Sequence, residues 1–581
     1  MNLFADIRSL IVSSLDALVA SGDLPEGLAY NAISVEPPRD PAHGDMATNA
    51  AMALAKPAKA SPRDLAAKLA PKLAEDPRID SADIAGPGFI NLRLAPIVWL
   101  GAFSAALQAG ARFGAATQGA GKRVNVEYVS ANPTGPLHVG HTRGAVFGDA
   151  LAGLLDFAGW DVAREYYIND GGSQVDTLAR SAHLRYQEAH GRKIEIVEGL
   201  YPGDYLVPVG AALKAEFGDS LLDAPEDEWL PKVRVFATDR MMDLVRDDLK
   251  VLGVEMDVFF SEKSLYGSGR IEEAIDTLKS RGLVYWGTLP KPKGKVPDDW
   301  KPREQWLFRS TAYGDDEDRP VQKADGAWAY FAPDIAYHYD KVERGFDHLI
   351  DIFGADHGGY VKRMKAAVAA LSEEKTPLDI KLTSMVKLFK DGVEFKMSKR
   401  SGSFVTLRDL IDEVDSDVVR FTMLTRKNDM PFDFDFNKAL EQSKDNPVFY
   451  VQYAHARICS VMRGAAEAGF ATGGADLQAT DLYSLNHPAW IELAQKVAEW
   501  PRLVETAAHH HEPHRVAFYL YDLASVFHSL WNKGREVPEL RFLQEDDKTG
   551  TPARLAALNA VSIVLSAGLG ILGVTPMTEM R

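Results

Sequence analysis

Hydrophobic residues follow a mainly helical spacing through the first part of the chain, up to about residue 112. The spacing predicts helices over residues 1–21, 45–56 and 61–75. The third helix has Ser61 as its N-cap and Pro62 at its first helical position, which are the residue types favoured there. The segment "AGPGFINLRL" predicts a Gly-Pro-Gly turn followed by an alternating strand. Residues 1–115 are therefore expected to form an α+β module.

From residue 123 the pattern becomes that of an α/β domain. "RVNVEYVS" alternates as a strand does, the following apolar residues take helical spacing as far as Gly159, and "VAREYYIND" predicts a second strand. Strand, helix and strand in this order favour a parallel sheet. Asp325-Gly326 predicts a tight hairpin turn, and a helix is expected to begin at Pro333. We expect this domain over residues 118–435, with a helical, charged insertion at about 194–302.

Only helical periodicity remains after residue 437, which predicts an all-α bundle over residues 437–581. Within it, residues 555–578 carry no charge and are long enough to cross a bilayer. Asn559 and several serines and glycines in this stretch favour a buried terminal helix over a membrane span. No membrane partner is expected.

Composition limits the function without defining it. The chain has 65 basic and 82 acidic residues, for a formal charge of −17. That balance argues weakly against a nucleic-acid partner, since a basic groove can lie on an acidic protein. Cys459 is the single cysteine, so an intramolecular disulfide and a cysteine-rich zinc site are excluded. A cytoplasmic location is expected.

The stretch "SANPTGPLHVGH" lies at the first strand-to-helix junction. Its histidines, His138 and His141, are three residues apart and so share one face of the first helical turn. Gly140 removes a side chain between them. A helix N-terminus offers unpaired N–H groups and partial positive charge, which suit phosphate. The stretch resembles a cradle for a nucleoside triphosphate, but taken alone it is more often a capped helix start with two incidental histidines.

A basic loop, "FKMSKRSGSF", begins its charged part at Lys396, 255 residues after His141. Lys396 and Lys399 surround Met397 and Ser398. Flexible ammonium groups can follow charge that develops on a phosphate. Taken alone, the loop is more often typical of a solvated basic surface.

Together, the two motifs resemble those of class I aminoacyl-tRNA synthetases in their order and surroundings. The flanking words resemble the arginyl-tRNA synthetase family over nearly the whole chain: "VEYVSANPTGPLHVGH", "YFAPDIAYHYDK", "GADHGGY", "NPVFYVQYAHARICS", "GLGILGV" and the N-terminal "HGDMATNAAMALAK". The resemblance implies a Rossmann-like catalytic domain, an N-terminal module that contacts the outer corner of tRNA, and a C-terminal bundle that binds the anticodon stem-loop.

The resemblance also implies the residues of each site. Catalysis is expected to use His138, His141, Lys396 and Lys399, which stabilise the phosphates. ATP is expected to be bound by these two histidines with Gly140, His357, Met397, Ser398 and Lys399. Arginine is expected to be bound by Glu127, Asn132, Tyr330, Asp334 and His357. Carboxylates in fork geometry are suited to a guanidinium and would select arginine over lysine or neutral analogues. The strand-end residues Asn169, Asp170 and Gln174 are candidates for the substrate rim.

Two further clusters lie in the bundle. Tyr450, Tyr453 and Arg457 are either core residues or contacts for unstacked tRNA bases. The run "HHHEPH" at residues 509–514 looks like a metal tract, but its position between two helices favours a solvated turn. No protein-bound metal, zinc included, is expected.

The expected function is ATP-dependent arginylation of tRNA by a cytoplasmic monomer, with Mg²⁺ accompanying ATP. The resemblance implies arginyl-adenylate formation, its transfer to the terminal ribose 2′-hydroxyl, and a requirement for tRNA in arginine activation. Three alternatives stay open: a tRNA-binding relative without aminoacylation, a smaller adenylate-forming ligase on the same sheet, and a synthetase for another amino acid.

Overall fold

The computed structural model describes residues 2–38, 40–289, 303–395 and 405–580. Its α-helices are α1 Leu3–Ala20, α2 Ala50–Leu54, α3 Pro62–Leu73, α4 Pro96–Ala109, α5 Val139–Phe157, α6 Gln174–Ala189, α7 Val207–Phe217, α8 Glu226–Val251, α9 Arg270–Ser280, α10 Phe331–Glu343, α11 Val361–Ser372, α12 Leu407–Val414, α13 Ser416–Met423, α14 Phe436–Leu440, α15 Pro447–Glu467, α16 Gly474–Gln478, α17 Pro488–His510, α18 His514–Glu536 and α19 Gly550–Ile571. Its strands are β1 Val35–Glu36, β2 Met46–Thr48, β3 Ile79–Ala85, β4 Phe89–Leu94, β5 Arg123–Glu127, β6 Asp161–Ile168, β7 Val258–Ser261, β8 Val284–Thr288, β9 Glu304–Phe308, β10 Arg319–Gln322, β11 His348–Gly354, β12 Leu378–Thr383, β13 Val386–Lys390, β14 Val393–Phe395 and β15 Phe432–Asp435.

The N-terminal module is α+β, with a four-stranded sheet in the order β1-β2-β4-β3. The predicted cap of α3 is confirmed, because the Ser61 side chain accepts a hydrogen bond from the backbone N–H of Asp64. The single helix expected over residues 45–56 is wrong. Its first part is strand β2, in which Met46 pairs with Leu92, and only α2 is helical. Pairing with a distant strand has overridden the local helical spacing.

Helix α4 follows the sheet of this module directly and was not predicted. Nε1 of Trp500 donates to the carbonyl of Phe113, and Nε2 of Gln478 donates to the carbonyl of Leu107. The segment that leaves the N-terminal module thus lies against the C-terminal bundle. The end of α4 and the residues after it therefore connect the N-terminal module to the C-terminal bundle.

The central sheet has five strands in the order β12-β11-β5-β6-β7, and all neighbouring pairs are parallel. Strand β5 is followed in the chain by β6 on one side and is flanked by the much later β11 on the other. Ligands bind at such a reversal point, beyond the carboxyl ends of the strands. Glu127 and Asp351 are direct neighbours there in the pairing register. The predicted parallel α/β architecture is confirmed.

The expected insertion differs from the structure at one point. Residues Val258–Ser261 form β7, which pairs with β6 at the edge of the central sheet. The helical interruption therefore ends earlier than residue 302, and the chain returns to the sheet before leaving it again for the three-stranded sheet β10-β9-β8. A short edge strand among charged helices carries little periodicity, which explains why it was missed.

The predicted Asp325-Gly326 turn is present, with the Lys323 N–H donating to the carbonyl of Ala327 at 2.8 Å. The helix after it, α10, begins at Phe331, two residues before the expected Pro333. The turn and the start of α10 place the first residues of this helix near the carboxyl edge of the central sheet.

Past residue 436 the described chain is helical. Helix α19 is long and apolar enough to cross a membrane by length and composition. However, 67% of the residues in its most apolar 18-residue stretch are buried inside the structure. The expectation of a buried terminal helix is thus confirmed. Leu558, Val561 and Leu565 on this helix are fully buried, as in the core of a helical bundle.

Candidate active site

The two histidines of the strand-to-helix junction form the start of α5. His138 is the N-cap, and its Nδ1 accepts from the Gly140 N–H at 3.1 Å. Nδ1 of His141 accepts from the His138 N–H at 3.3 Å, which completes a capping box. The two rings stack with their centroids 3.8 Å apart. Because each neutral ring accepts through Nδ1, its proton lies on Nε2. The same two histidines therefore cap the helix and share one face of its first turn.

Gly140 is required for this arrangement. A Cβ at this position would lie 2.8 Å from Cε1 and 2.9 Å from Nδ1 of His138, so the His138 ring would have to move. The space left by the missing side chain is thus occupied by the His138 ring.

The predicted loop residues Lys396, Met397, Ser398 and Lys399 lie outside the described residues. The chain beyond the loop returns to the histidines. Val139 N–H donates to the carbonyl of Val405, and Leu407 N–H donates to the carbonyl of Leu137. One end of the loop is therefore fixed beside the turn that holds His138.

A cavity of about 320 Å³ opens in front of the histidine turn. Its lining comes from the turn, from α6 and from the segment before α7: Asn132, Thr134, Gly135, Pro136, His138, His141, Gln174, Tyr201, Pro202, Gly203 and Tyr205. The Tyr205 hydroxyl donates to the carbonyl of Thr134 at 2.8 Å, so the insertion is attached to the turn. We call this space the histidine cavity.

A second cavity, of about 210 Å³, lies beyond the ends of β5 and β11. It is lined by Glu127, Val129, Ser130, Tyr167, Tyr330, Asp334, Tyr337, His338, Ile352, Phe353, Gly354, His357, Tyr360 and Met364. We call it the acidic cavity. Four of the five predicted arginine-binding residues meet here. Asn132 does not: it lines the histidine cavity, where its Nδ2 donates to Oε1 of Gln174 at 2.9 Å.

A buried lysine fixes the position of Glu127. Nζ of Lys341 lies 2.5 Å from Oε2 of Glu127 and 3.0 Å from Oδ1 of Asp351. The other oxygen of Glu127, Oε1, accepts from the Ser130 hydroxyl at 3.0 Å. Ser130 and Val129 have positive φ angles of 39° and 71°, a strained conformation that places this hydroxyl at the strand end. Both oxygens of Glu127 are therefore fixed.

His338 links this pair to Asp334. Its Nε2 lies 2.8 Å from Oδ2 of Asp351, and its Nδ1 lies 2.8 Å from the backbone carbonyl of Asp334. Both partners accept hydrogen bonds, so both ring nitrogens donate and the imidazole is charged. Burial acts to lower the pKa of His338, but Asp351 and Glu127 together raise it above its ordinary value. Burial acts to raise the pKa of Asp351, but Lys341 and His338 hold it at about 2.

A further ion pair supports the same layer. Arg344 binds Glu165 through two hydrogen bonds of 2.8 Å, and the Tyr337 hydroxyl and Asn125 amide donate to the same carboxylate. Three cations (Lys341, His338, Arg344) thus offset three carboxylates (Glu127, Asp351, Glu165). Buried charges in such numbers are stable only when paired and hydrogen-bonded.

Asp334 remains as an uncompensated carboxyl group in the acidic cavity. Burial raises the pKa of Asp334 to about 7, and the nearby carboxylates of Glu262, Glu127 and Asp351 act in the same direction against His338. A group with this pKa is sensitive to a cation entering the cavity, since a positive charge favours its ionised form. Asp334 is therefore the residue that most directly favours a cationic ligand.

Tyr330 and His357 lie at the mouth of the acidic cavity. Tyr330 is 79% exposed, and the His357 side chain is 60% exposed with its Nε2 3.5 Å from Asp356 Oδ2. Both residues line the cavity from its exposed rim. Of the candidate rim residues, Gln174 lines the histidine cavity, whereas Asp170 accepts from the Ser261 hydroxyl at 2.6 Å and orders β7.

The supporting layer was not predicted from the sequence; it consists of Lys341, His338, Asp351, Glu165 and Arg344. One signal was available. Asp351 interrupts the apolar strand "HLIDIF", and a charge inside a buried parallel strand needs a partner. The identity of that partner could not be read from the sequence, because Lys341 reaches Glu127 across 214 positions.

The three residues predicted as possible tRNA contacts in the bundle pack against neighbouring rings. Arg457 donates to the Tyr453 hydroxyl at 2.8 Å and lies over the rings of Tyr453 and Trp531, 4.0 and 4.9 Å from their centroids. Tyr450 contacts His528, with ring centroids 4.5 Å apart. All three predicted residues are half-buried, so they combine core packing with an accessible face.

The histidine run at residues 509–514 forms the turn between α17 and α18, as expected, but it is not fully solvated. His511 and His514 are buried, while His509 and His510 are exposed. The expectation of a solvated turn is wrong for the two buried residues. The turn packs against the central sheet, and His511 lies 3.4 Å from Asp379 on β12.

Two groups of described residues have the spacing of metal ligands: Glu127, His338 and Asp351, and His348, Asp379 and His511. In the first group the ammonium of Lys341 already contacts both carboxylates, and His338 is the second cation of the pair. That group is therefore an ion-pair layer. The second group lies away from both cavities.

Comparison with protein families agrees with this architecture. The class I (R) tRNA synthetase catalytic domain matches residues 102–457, the arginyl-tRNA synthetase N-terminal domain matches residues 5–94, and the DALR anticodon-binding domain matches residues 451–580. With the parallel sheet and the histidine turn, these matches define an aminoacyl-tRNA ligase of class I.

The relatives are more specific. Proteins named arginine–tRNA ligase from Roseobacter denitrificans and Ruegeria sp. are 66% and 67% identical, over 100% of this chain and 100% of theirs. A Campylobacter jejuni structure described as a putative arginyl-tRNA synthetase is 31% identical, with a TM-score of 0.71 over 84% of this chain and 100% of that one. The chain belongs to the arginyl-tRNA synthetase family.

More distant structures share the fold alone. The Thermus thermophilus arginyl-tRNA synthetase has a TM-score of 0.68 at 20% identity, covering 100% of both chains. A Mycobacterium tuberculosis methionyl-tRNA synthetase has a TM-score of 0.54 at 13% identity, over 77% of this chain and 91% of that one. Since a methionine enzyme shares the fold, the fold does not choose the amino acid. That choice is made by the residues of the site.

Proposed function

We propose that this chain ligates L-arginine to its tRNA in two steps at the carboxyl edge of the central sheet. The arginine carboxylate attacks the α-phosphate of ATP, forming arginyl-adenylate and releasing pyrophosphate. The terminal ribose 2′-hydroxyl of tRNA then attacks the adenylate carbonyl and releases AMP. The observation that carries the proposal is that one segment, residues 127–141, contributes to both the acidic and the histidine cavities.

Arginine is assigned to the acidic cavity. Its guanidinium would pair with Asp334, while Glu127, fixed by Lys341 and Ser130, adds negative potential at the strand end. Charge-assisted contacts of this kind are stronger than neutral hydrogen bonds. Tyr330 and His357 would close over the ligand from the exposed rim, and Asn132 would act at the border with the histidine cavity.

ATP is assigned to the histidine cavity. The start of α5 supplies partial positive charge, and His138 and His141 would stabilise the triphosphate through Nε2. Lys396 and Lys399 would neutralise the pyrophosphate side, with Met397 and Ser398 shaping the loop. Catalysis then consists of positioning two substrates and stabilising charge, so a covalent nucleophile is not required.

Mg²⁺ would accompany ATP through phosphate oxygens and water. The described residues lining the histidine cavity include no carboxylate, which fits a metal held by its substrate rather than by the protein. We also propose a cytoplasmic monomer, in which the N-terminal module contacts the outer corner of tRNA and Tyr450, Tyr453 and Arg457 contact bases of the anticodon loop. Half-buried aromatic side chains beside an arginine are suited to stacking with unpaired bases.

The decisive experiment is ATP–pyrophosphate exchange, measured for each of the twenty amino acids with and without total tRNA. We expect exchange with arginine alone, and only when tRNA is present. Exchange with another amino acid would contradict the assignment of the acidic cavity. Tight tRNA binding without any exchange or aminoacylation would instead indicate a non-catalytic tRNA-binding protein.

A further inference from the structure

A cluster of two histidines and an aspartate joins the catalytic sheet to the C-terminal bundle. His348 is the first residue of β11, Asp379 is the second residue of β12, and His511 lies in the turn between α17 and α18. The cluster is at the amino ends of the strands, whereas both cavities are at the carboxyl ends. Seven residues of β11 separate the two ends, a span of roughly 20 Å.

The two contacts of Asp379 with the histidines have the spacing of a tetrahedral site. Oδ2 of Asp379 lies 3.3 Å from Nε2 of His348 and 3.4 Å from Nδ1 of His511. Zinc bound to imidazole nitrogen and carboxylate oxygen at about 2.0–2.2 Å has tetrahedral edges of about 3.3–3.5 Å. The three donor atoms all lie within 4.8 Å of one another. The three residues therefore form a group that could hold one metal ion.

Hydrogen bonding alone does not account for the cluster. Nε2 of His348 is buried and has no hydrogen-bond partner among the described residues, although Asp379 Oδ2 is 3.3 Å away. Both contacts are longer than the usual 2.9–3.0 Å of an N–H···O bond. The second oxygen of Asp379, Oδ1, is 3.5 Å from Nζ of Lys365, so Oδ2 is the atom left to face the histidines.

The backbone also presents His511 to the cluster. It lies directly after α17 with a φ of 56°, a left-handed position where glycine is the favoured residue. Its side chain is only 10% exposed. A histidine at a position that favours glycine directs its imidazole toward Asp379 on the neighbouring domain.

We propose that His348, Asp379 and His511 bind a divalent transition-metal ion of the zinc type, with water completing the coordination. The site is structural: it connects the edge of the catalytic sheet to the anticodon-binding bundle. Two neutral imidazoles and a carboxylate are the ligand types that zinc uses, and the partly exposed Asp379 side leaves room for water.

The test is titration of the chelator-treated full-length protein with Zn²⁺ and with Co²⁺, followed by competition with a chromophoric chelator and by the visible absorption of tetrahedral Co²⁺. We expect one tightly bound ion per chain and a higher melting temperature with Zn²⁺. Asp379→Asn and His348→Ala should weaken binding at least tenfold and remove the rise in melting temperature. Pyrophosphate exchange should change little, because the site is remote from both cavities.

His509 and His510 provide the matched control, since they are exposed neighbours in the same turn. The double variant His509→Ala/His510→Ala should bind Zn²⁺ as the parent does. Loss of binding in this variant, with retention in Asp379→Asn, would assign the ion to the surface histidines and overturn the proposal. An absence of binding to the folded parent protein would overturn it equally. Circular dichroism of each variant separates lost binding from lost folding.

Discussion

The histidine cavity and the acidic cavity are built by different means, although one segment of chain lines both. The histidine turn that forms one wall of the histidine cavity depends on local geometry: a helix start, two ring nitrogens that cap it, and a glycine that admits a ring. The acidic cavity depends on charges brought together from β5, α10 and β11. The turn proposed to bind phosphate is thus built from neighbouring residues, whereas the cavity proposed to bind a cationic side chain requires a distant, charge-balanced layer.

The difference matters for energy as well as for recognition. Helix-terminal contacts with phosphate are partly solvated and contribute modestly to stability. Removing one partner of a buried ion pair lowers the stability of the fold, because the remaining charge is buried without compensation. We therefore expect substitutions under the acidic cavity to affect folding and substrate selection, and substitutions around the histidine cavity to affect catalysis with little effect on folding.

The largest effect is expected for Lys341→Met. The substitution leaves Glu127 and Asp351 buried without their shared cation, and such a loss destabilises folded proteins by about 3–5 kcal/mol. Urea unfolding followed by circular dichroism measures it. Lys362→Met is the matched control, because Lys362 forms an ion pair with Asp316 that is exposed on both sides. Equal stability of the two variants would contradict the importance of the buried layer.

Asp334→Asn should weaken arginine binding by about 2–5 kcal/mol, since it removes the charge that faces the guanidinium. Calorimetry with arginine, in the presence of tRNA, measures the loss, and ATP binding should be unchanged. Folding should respond in the opposite direction. The folded-state pKa of Asp334 is raised, so its ionisation destabilises the substrate-free protein as the pH rises from 3.8 through about 7.

At pH 8, Asp334→Asn should therefore melt at a higher temperature than the parent when no substrate is present. An unaltered affinity for arginine would refute the assignment of Asp334 to the substrate. A lower melting temperature at pH 8 would instead show that the carboxylate is structurally required.

Lys399→Ala should lower the rate of adenylate formation at least tenfold, about 1.4 kcal/mol, with little change in arginine binding. The reason is that the ammonium would act on charge that develops at the phosphates. Pyrophosphate exchange measures the rate, and Lys387→Ala, an exposed position on β13, serves as the control. An unchanged exchange rate would refute the role of the loop.

The smallest effect is the pH dependence of arginine affinity. Since burial raises the pKa of Asp334 to about 7, the carboxyl group becomes neutral as the pH falls below 7. Affinity should be full above pH 8 and about tenfold lower at pH 6, one pH unit below that pKa. The dependence should disappear in Asp334→Asn. A pH-independent affinity in the parent would indicate that Asp334 is ionised before arginine enters.

Local signals were sufficient for part of the fold. The Ser61 cap, the Asp325-Gly326 turn and the first βαβ unit could be predicted, because each depends on residues close together in the chain. The residues over 45–56 could not, because β2 is fixed by pairing with β4. Strand β7 was missed because it carries little periodicity of its own. It is fixed by pairing with β6, which is distant in the sequence.

The residue pattern was sufficient to predict the class of enzyme, the two histidines at the start of α5 and the carboxylates that meet in the acidic cavity. The packing of distant elements was needed to show that Lys341 contacts Glu127, that both ring nitrogens of His338 are hydrogen-bonded, and that His511 meets Asp379 across two domains. The two sets of features differ in the range of the interactions that produce them. Caps and turns follow from interactions over three or four residues, whereas the pairing of buried charges follows from how whole elements pack.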